Sequence, residues 1–557
     1  VEGNRKMAER YGIVVSTSHC EPMMRNSATE WDLAGKGDYN FLKNRQAVVD
    51  YWADRLKELG HSDNIFTMGM RGKHDGRMIG VKNTHEYKDA LNAVLQVQDS
   101  LLRQYIHPDS KKIPQQFVPY KEVLDVYRAG LEVPDHITLV WPDDNYGYIR
   151  HFPDEKERKR TGGNGVYYHT SYWGEPHDFL WLGIVQPSLM YQQMKTAYDR
   201  NMRKIWVLNV GDIKPSEYLT EFFLDMAWDI NLSGCKGGSG IVFSHLGNWL
   251  NQTFGKKTGK ELLPLMKDFY LLSHIRKPEF MGNTRTYDKR HEQIADLPWS
   301  TEEINERLER FKKLSDRVEK LYATVPSNRK EAYFEMIQYP VQASNEMNKK
   351  MLYAQFARHT PSDSASLWKK SDAAYDSIVS LTRRFNSLLD GKWNSIMSVG
   401  PRGLIVFDKV KHTASSSDLK EYPAPLQSWN GTEYTSASGS YTVIDGLGYA
   451  GKAIYLAKGG TVEYEFKNNR KDSLTVEVHL VPTHAVEGGK LRFSISTEGN
   501  EPQVFDCETA EYSEEWKVNI LRAKGIKTAR FPFTKNKGYI KITALDEGVV
   551  VDQLKLR

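Results

Sequence analysis

The chain has 557 residues, several times the roughly 100–200 residues of a typical domain, so two or three domains are expected. Hydrophobic residues make up 40% and charged residues 26% of it, and no stretch approaches the roughly 18 consecutive apolar residues of a membrane span. Lys and Arg number 76 against 71 Asp and Glu, which leaves a net charge of only +5. The composition therefore excludes a disordered chain and a small module, and it predicts neither a membrane nor a nucleic-acid partner.

The cysteine and aromatic contents give the next indications. Cys20, Cys235 and Cys507 are far apart in the chain, so neither a disulfide framework nor a cysteine metal site is predicted. We expect no metal and no other cofactor. Aromatic residues make up 11% of the chain. Sugar rings stack on such flat apolar faces, although most of these residues are expected in hydrophobic cores.

The region between Gly12 and Asp212 alternates short β-branched runs with amphipathic helical stretches, which predicts βαβ units and a parallel sheet. Polar residues follow every run. In a (β/α)₈ barrel these strand ends build the active site, and in a doubly wound sheet they also line a ligand crevice. Because polar groups recur at every strand end, we favour the barrel. The predicted strands are Gly12–His19, Asn64–Arg71, Gln115–Tyr120, His136–Asn145, Val166–Tyr172 and Lys204–Asp212.

A closed barrel of this type needs eight strands, so two more are expected beyond the predicted ones. The chain opens abruptly with Val-Glu-Gly-Asn, with neither a methionine nor a signal peptide. We therefore expect that the first two strands are missing and that the numbered chain begins inside a barrel.

The pattern becomes helical after Pro298, where Ser300 and Glu303 have the spacing of a capping box. A helical bundle is predicted here, and short alternating runs near the C-terminus predict a β-sandwich. The predicted domains are a barrel at 1–297, a bundle at 298–412 and a sandwich at 413–557.

The sandwich could bind sugar or only support the fold, and the sequence leaves both roles open. Its candidate stacking residues are Trp429 and Trp516. For each of them, core packing is the more common role of a tryptophan.

The strand ends combine carboxylates, amides, a cation and aromatic rings. Glycoside hydrolysis needs two carboxyl groups, one protonated to donate to the leaving oxygen and one ionised as base or nucleophile. A single Asp or Glu at such a junction is more often a helix cap, but their coincidence on one barrel face favours catalysis. The strand-end residues are Asp75, Glu122, Asp143, Asp144, Asp212, Asn145, Asn209, Arg71, His19, Trp141, Tyr146, Tyr172 and Trp173.

Several ordered segments resemble glycoside hydrolase family 115, the xylan α-glucuronidases. These segments are Ser16–Met23, Gly69–Gly76, Trp141–Gly147, Gly165–Tyr172, Trp206–Pro215 and Tyr339–Ser344. The resemblance covers nearly the whole chain and implies a barrel, a bundle and a sandwich in that order. It also implies removal, with inversion, of glucuronic acid or its 4-O-methyl ether from α-1,2 linkage to xylose. The family's α/β domain ahead of the barrel and an acidic residue on its first barrel strand are not in this chain.

The resemblance also implies which residues line the uronic-acid pocket. They are His19, Arg71, Asp75, Glu122, Asp143, Asn145, Tyr172 and Asn209. Glu122 is the candidate general acid and Asp75 the candidate base. Arg71 is expected to bind the uronate as a planar fork, and the competing interpretation is that it pairs with Asp75 to organise the loop.

A second hypothesis is a carbohydrate-binding protein without catalysis. The expected partners are glucuronoxylan or glucurono-oligosaccharides, and the sequence does not separate xylan from glucuronosides of plant arabinogalactans. We also expect a secreted or periplasmic location and a homodimer.

Overall fold

The structure is a computed structural model that describes residues 2–59, 63–286, 294–415, 419, 424–467 and 473–557. The chain forms two compact units. The first unit comprises the residues up to Asp143, together with Arg150–Tyr168 and Thr196–Val207. The second unit comprises Asp144–Ile149, His169–Lys195 and the residues from Leu208 onward. The predicted division into three domains stays a prediction.

The first unit is built around a six-stranded sheet whose strand order follows the chain order. The strands are β1 (Val15–Ser16), β2 (Asn64–Thr67), β3 (Gln115–Phe117), β4 (Thr138–Pro142), β5 (Asn164–His169) and β6 (Met202–Asn209). The pairs from β1 to β5 are parallel. Every predicted strand is thus confirmed, although each is shorter than its apolar run. A closed eight-stranded barrel stays a prediction.

Burial explains why these short runs form strands. All five residues of β4 are buried, as expected for a parallel strand that is covered on both faces. Val118 and Tyr120, which follow β3, form a small core with Val140 of β4, and Tyr167 and Ile205 pack against it. Tyr120 of this core contacts His19 and Arg71 of the predicted site.

Helices alternate with the strands of the first unit. They are α1 (Glu2–Arg10), α2 (Thr29–Ala34), α3 (Arg45–Leu59), α4 (Thr84–Tyr105) and α5 (Glu122–Arg128), and α6 (Pro187–Asp199) begins in the second unit. Helix α4 starts where the Asn83 side chain accepts a hydrogen bond from the Glu86 N–H, which satisfies one otherwise unpaired donor. Helix α5 starts at Glu122 itself, so the helix fixes the position of this predicted site residue.

The second unit contains the predicted helical region. Its helices are α7 (Glu217–Trp228), α8 (Ile241–Phe254), α9 (Lys256–Ile275), α10 (Thr301–Tyr322), α11 (Lys330–Tyr333), α12 (Tyr339–His359), α13 (Ser364–Asn386) and α14 (Leu388–Gly391), with a π-helix at Phe334–Gln338. The predicted capping box of Ser300 and Glu303 is present at the start of α10. In the part of the chain that the structure describes, no helix is long and apolar enough to cross a bilayer.

The C-terminal part of the second unit is a β-sandwich of two antiparallel sheets around a common core. Its strands are β7 (Gln427–Asn430), β8 (Ser436–Ser438), β9 (Tyr441–Asp445), β10 (Lys452–Leu456), β11 (Thr461–Lys467), β12 (Ser473–Leu480), β13 (Arg492–Thr497), β14 (Gln503–Asp506), β15 (Gly525–Pro532), β16 (Lys537–Ala544) and β17 (Val549–Leu556). Helix α15 (Glu514–Arg522) lies between β14 and β15. Trp429 packs partly buried against the core and Trp516 is buried, so packing is the role of both.

Trp516 also forms a hydrogen bond with one of the strand-end carboxylates, Asp144. Its Nε1 donates a hydrogen bond of 2.9 Å to Oδ2 of Asp144, which is fully buried. Oδ1 of Asp144 accepts from the backbone N–H groups of Tyr146 and Tyr148 at 3.0 and 3.2 Å, and His484 Nε2 lies 3.5 Å from Oδ2. Asp144 therefore holds the loop after β4 in its turn and is not exposed to a ligand.

Replacing this indole tests the link between the sandwich and the loop. Trp516→Phe leaves a buried carboxylate oxygen without its N–H donor, so we expect a loss of about 1–3 kcal/mol in the free energy of unfolding. Urea unfolding measures the loss, and Trp429→Phe is the matched control because that ring only packs on the core. Equal losses in the two variants would contradict this role of the hydrogen bond.

Candidate active site

Three loops of the first unit bring predicted site residues together. His19 follows β1, Arg71 and Asp75 follow β2, and Glu122 follows β3. Neighbouring parallel strands end at the same edge of a sheet, so these loops become neighbours although they are far apart in the chain. The side chains are in direct contact, as the prediction from the strand ends requires.

Arg71 is the centre of this cluster. Its Nε and Nη2 donate to Oε1 and Oε2 of Glu122 at 3.1 and 2.9 Å, and its Nη1 donates to Oδ1 of Asp75. The guanidinium thus holds Glu122 through a two-pronged pair and Asp75 through its remaining edge. The Arg71 side chain is only 3% exposed, against 15% for Glu122 and 37% for Asp75. The carboxylates, and not the guanidinium, therefore face the solvent.

Asp75 has three positively charged or hydrogen-bonding neighbours. Lys121 Nζ donates to its Oδ2 at 2.8 Å, and His19 Nε2 lies 3.2 Å from its Oδ1. Burial raises the pKa of this carboxyl, but the hydrogen bond with His19 and the charges of Arg71 and Lys121 outweigh burial. The net effect holds the pKa of Asp75 well below its ordinary value, so Asp75 is ionised at neutral pH.

The loop after β2 owes its shape to glycines. A Cβ on Gly72 would come within 2.1 Å of the Arg77 carbonyl oxygen, so only glycine allows the chain to pass there. The Gly72 N–H donates to the Gly76 carbonyl at 2.8 Å and closes the turn between Arg71 and Asp75. The turn thereby brings the Arg71 and Asp75 side chains close enough to form their ion pair.

Aromatic rings line the cluster on one side. The His19 ring lies 4.1 Å from the Tyr120 ring and 5.7 Å from the Tyr167 ring, measured between centroids. The Arg71 guanidinium carbon lies 5.4 Å from the Tyr120 centroid, within range of a cation–π contact. These rings separate the charged groups from bulk water on that side and strengthen their interactions.

Lys121 is a member of the cluster that the sequence analysis did not single out. It precedes Glu122 and adopts a left-handed φ of 51°, which is uncommon outside glycine. This conformation places its ammonium on Asp75 while the next residue pairs with Arg71. Backbone strain of this kind persists where other contacts fix it, and it is a feature of functional sites.

The remaining predicted residues are divided between the two units. Asp143 directly follows β4 in the first unit, and its backbone N–H donates to the Tyr167 carbonyl at 3.0 Å. Asn145, Tyr172 and Asn209 belong to the second unit. The convergence of all eight residues on one cavity stays a prediction.

In the second unit, Asn145 is buried with a left-handed φ of 71°. The Tyr172 ring lies 5.5 Å from the Tyr146 ring. The Asn209 carbonyl accepts hydrogen bonds from the backbone N–H and the hydroxyl of Thr170, at 2.9 and 3.2 Å. Each of these three residues is thus fixed by its surroundings.

Two clefts are found among the described residues of the first unit. One has a volume of about 180 Å³ and is bordered by Glu122, Asp125 and the start of α4. The other, of about 800 Å³, lies at the amino ends of the strands and is lined by Gln115 and Thr138. Only the first cleft includes a residue of the predicted site.

The cluster has the composition that glycoside hydrolysis requires. Asp75 is an ionised carboxylate, and Glu122 is a second carboxylate that the same guanidinium holds in place. Among the described residues, no group of three or more His, Cys, Asp or Glu side chains is arranged to hold a metal ion. The fold and the paired carboxylates define the class of a glycoside hydrolase.

The sequence profile of glycosyl hydrolase family 115 matches residues 1–280, and that of the family's C-terminal domain matches residues 427–557. The chain belongs to glycosyl hydrolase family 115, which confirms the family predicted from its motifs. The expected loss of the front strands stays a prediction.

One solved structure supports the same family. A family 115 4-O-methyl-α-glucuronidase, BtGH115A, described as specific for decorated arabinogalactans, is 49% identical with a TM-score of 0.96. The alignment covers 100% of this chain and 72% of that chain. The C-terminal family 6 carbohydrate-binding module of LamC from Zobellia galactanivorans is 11% identical over 23% of this chain and 97% of its own, with a TM-score of 0.18. No curated protein sequence matches.

The low pKa of Asp75 makes a prediction about stability. A carboxyl with a lowered pKa in the folded chain stabilises the fold above its unfolded pKa, about 4, and this stabilisation is lost as the pH falls through the folded pKa. The unfolding free energy of the wild type should therefore exceed that of Asp75→Asn by a constant amount between neutral pH and about pH 5, and the difference should shrink below about pH 4.

Urea unfolding of both chains across this range measures the difference. Groups that titrate elsewhere change the unfolding free energies of wild type and variant equally, so they cancel in the difference. Asp38→Asn is the control, because it shows how acid affects such a difference at another aspartate. If the difference in unfolding free energy between the wild type and Asp75→Asn increases towards acid pH, Asp75 is not a stabilising anion.

Proposed function

We propose that this chain is an α-glucuronidase that releases glucuronic acid or its 4-O-methyl ether from a branched plant polysaccharide. The observation that carries the proposal is the pair of carboxylates, Asp75 and Glu122, held on one guanidinium at adjoining strand ends. The 49% identity to a 4-O-methyl-α-glucuronidase over the whole chain supports the same activity. The polymer is glucuronoxylan by the sequence resemblance, and the relative's preference for arabinogalactans makes that polymer the second substrate to test.

In this proposal Asp75 is the base. An inverting enzyme needs a carboxylate that is ionised and activates a water molecule on the face opposite the leaving sugar. The lowered pKa of Asp75 keeps it ionised, and its 37% exposed side chain is open to a water molecule. Inversion also requires the two carboxyl groups to stand roughly 6.5–9.5 Å apart in the complex.

Glu122 is the general acid, and it must carry a proton when the substrate is bound. Both of its carboxyl oxygens accept hydrogen bonds from Arg71. The cluster of Arg71, Lys121, Asp75 and Glu122 contains two cations and two carboxylates, so it is neutral when both carboxyls are ionised. A bound uronate adds one negative charge, and protonation of Glu122 restores neutrality.

We therefore propose an exchange at Arg71. The uronate takes over the two-pronged position of Glu122 on the guanidinium, and Glu122, released from its partner, takes up the proton that it later donates to the leaving oxygen. The exchange unites the two interpretations of Arg71, because it organises the carboxylates before binding and holds the uronate afterwards. His19 and Lys121 keep Asp75 ionised throughout.

Asp143, Asn145, Tyr172 and Asn209 bind the sugar hydroxyls and ring in this proposal, as the family resemblance implies. We also propose that the six strands of the first sheet are part of a (β/α)₈ barrel. We further propose a secreted or periplasmic location, because the substrate is an extracellular polysaccharide, and a homodimer.

Product stereochemistry tests the reaction. Proton NMR of the first-formed product from 4-O-methylglucuronoxylo-oligosaccharides should show the β-anomer of the uronic acid, because single displacement by water inverts the α-linkage. Asp75→Asn and Glu122→Gln should each lower kcat by at least about 100-fold, since general acid and base catalysis contribute about that much or more.

The same measurement on glucuronylated arabinogalactan oligosaccharides decides between the two polymers. Release of the α-anomer would refute the single displacement. Binding of the oligosaccharides without any release of uronic acid would support the non-catalytic carbohydrate-binding protein instead.

The exchange at Arg71 makes a prediction about affinity. Glu122→Gln leaves the fork of Arg71 without a competing carboxylate, so this variant should bind free glucuronic acid more tightly than the wild type although it no longer hydrolyses oligosaccharides. Arg71→Lys should weaken kcat/KM by about 100-fold or more, because lysine cannot form the two parallel bonds of about 1.5–3 kcal/mol each.

Isothermal titration with glucuronic acid measures the first effect, and xylose is the neutral ligand for comparison. If Arg71→Lys binds glucuronic acid like the wild type while its kcat falls, Arg71 only positions the two carboxylates.

A further inference from the structure

The second unit contains a firmly anchored loop directly after β5. An antiparallel bridge closes it, in which the backbone N–H groups of Tyr172 and Phe179 each donate to the other's carbonyl at 3.0 Å. Inside the loop, buried Asp178 accepts a hydrogen bond of 2.7 Å from the Gly174 N–H. The Thr286 hydroxyl accepts from the Asp178 N–H at 3.1 Å. The loop is thus fixed at both ends and in its interior.

This loop leaves the Trp173 side chain exposed to solvent. Its side chain is 61% exposed, although its neighbour Tyr172 is buried. An exposed indole gains little from the hydrophobic effect, so burial does not explain a tryptophan at this position. A large apolar surface on a rigid backbone is the arrangement that binds a ligand with little loss of conformational entropy.

Arg402 fixes the orientation of that indole. Its guanidinium carbon lies 4.0 Å from the centroid of the Trp173 ring, and its Nη1 pairs with the buried carboxylate of Asp178. One face of the ring is therefore covered by a cation that is itself held by an ion pair, and the exposure of the residue comes from the other face and the edge.

The backbone at Arg402 supports this role. Arg402 adopts a left-handed φ of 54° between Pro401 and Gly403, a conformation that is unfavourable for a residue with a side chain. Such a conformation persists where the surroundings determine it, and residues of this kind cluster at ligand sites. Here the ion pair with Asp178 and the contact with Trp173 are the contacts that fix it.

We propose that Trp173, oriented by Arg402, binds the neutral backbone of the polysaccharide by stacking a sugar ring on its open indole face. A pyranose presents a flat face of C–H groups that matches an aromatic ring and carries no charge. Trp173 follows Tyr172, which the family resemblance assigns to the uronic-acid pocket. The stacked ring adds affinity for the polysaccharide backbone. This inference rests on the proposed function, because the sugar ring that Trp173 binds belongs to the proposed substrate.

Steady-state kinetics on a glucuronylated oligosaccharide tests the inference. Trp173→Ala should raise KM by about tenfold, the effect of losing one good aromatic contact, and should change kcat by less than about twofold. Trp173→Phe keeps a stacking surface and should restore most of the affinity. The inhibition constant of free glucuronic acid should stay at its wild-type value, because this ligand has no backbone sugar.

The matched control is Trp228→Ala. Trp228 ends α7 in the same unit and is 93% exposed, so it tests the loss of an exposed indole away from the loop. It should leave KM and kcat unchanged. Thermal unfolding of each variant should match the wild type, because neither ring is buried.

A KM of Trp173→Ala equal to the wild-type value, with the wild type active, overturns this inference alone. An equal rise in the inhibition constant of glucuronic acid also overturns it, because the ring would then belong to the uronic-acid pocket. Absence of activity in the wild type on every glucuronylated oligosaccharide instead overturns the proposed function.

Discussion

The site depends on one guanidinium. Arg71 is nearly inaccessible to solvent, yet it contacts both carboxylates of the proposed reaction, one through a two-pronged pair and one through its remaining edge. Three loops owe their mutual position to this arrangement, because Asp75 also contacts His19 and Lys121. A buried cation is costly unless it is fully paired, so the fold must bring both carboxylates to it.

This constraint explains the local backbone. Gly72 allows the sharp turn that places Asp75 beside Arg71, and Lys121 adopts a left-handed conformation that no side chain prefers. The Gln98 side chain accepts from the Gly69 N–H and donates to its carbonyl, both at 2.8 Å, which fixes the start of the same loop. The short strands contribute little to the exact positions of the site residues. Those positions are set by the loops, and the loops are held in place by hydrogen bonds to side chains and by close backbone contacts.

Local patterns in the sequence were enough to predict the strands of the sheet and the capping box at Ser300. The contact of Arg71 with Asp75 was predicted only as the competing interpretation of Arg71. Local patterns could not predict contacts that depend on the fold. Asp144 looked like its neighbour Asp143, but its partner Trp516 is 372 residues away. Lys121 was not singled out, because its contact with Asp75 depends on a backbone angle that the sequence does not show.

The contact between Asp144 and Trp516 has a consequence for the order of events during synthesis. The loop after β4 acquires its hydrogen-bond donor only when helix α15, close to the C-terminus, has left the ribosome. His484, the other side chain near this carboxylate, also belongs to the sandwich. Until then, the only hydrogen bonds described above that Asp144 can accept come from backbone N–H groups of its own turn. The segment that carries Asn145 then lacks the hydrogen bond from Trp516. A nascent chain interrupted before the sandwich would therefore contain Asn145, a residue of the proposed sugar site, without the side-chain contacts that hold its loop, and would be exposed to chaperones and proteases.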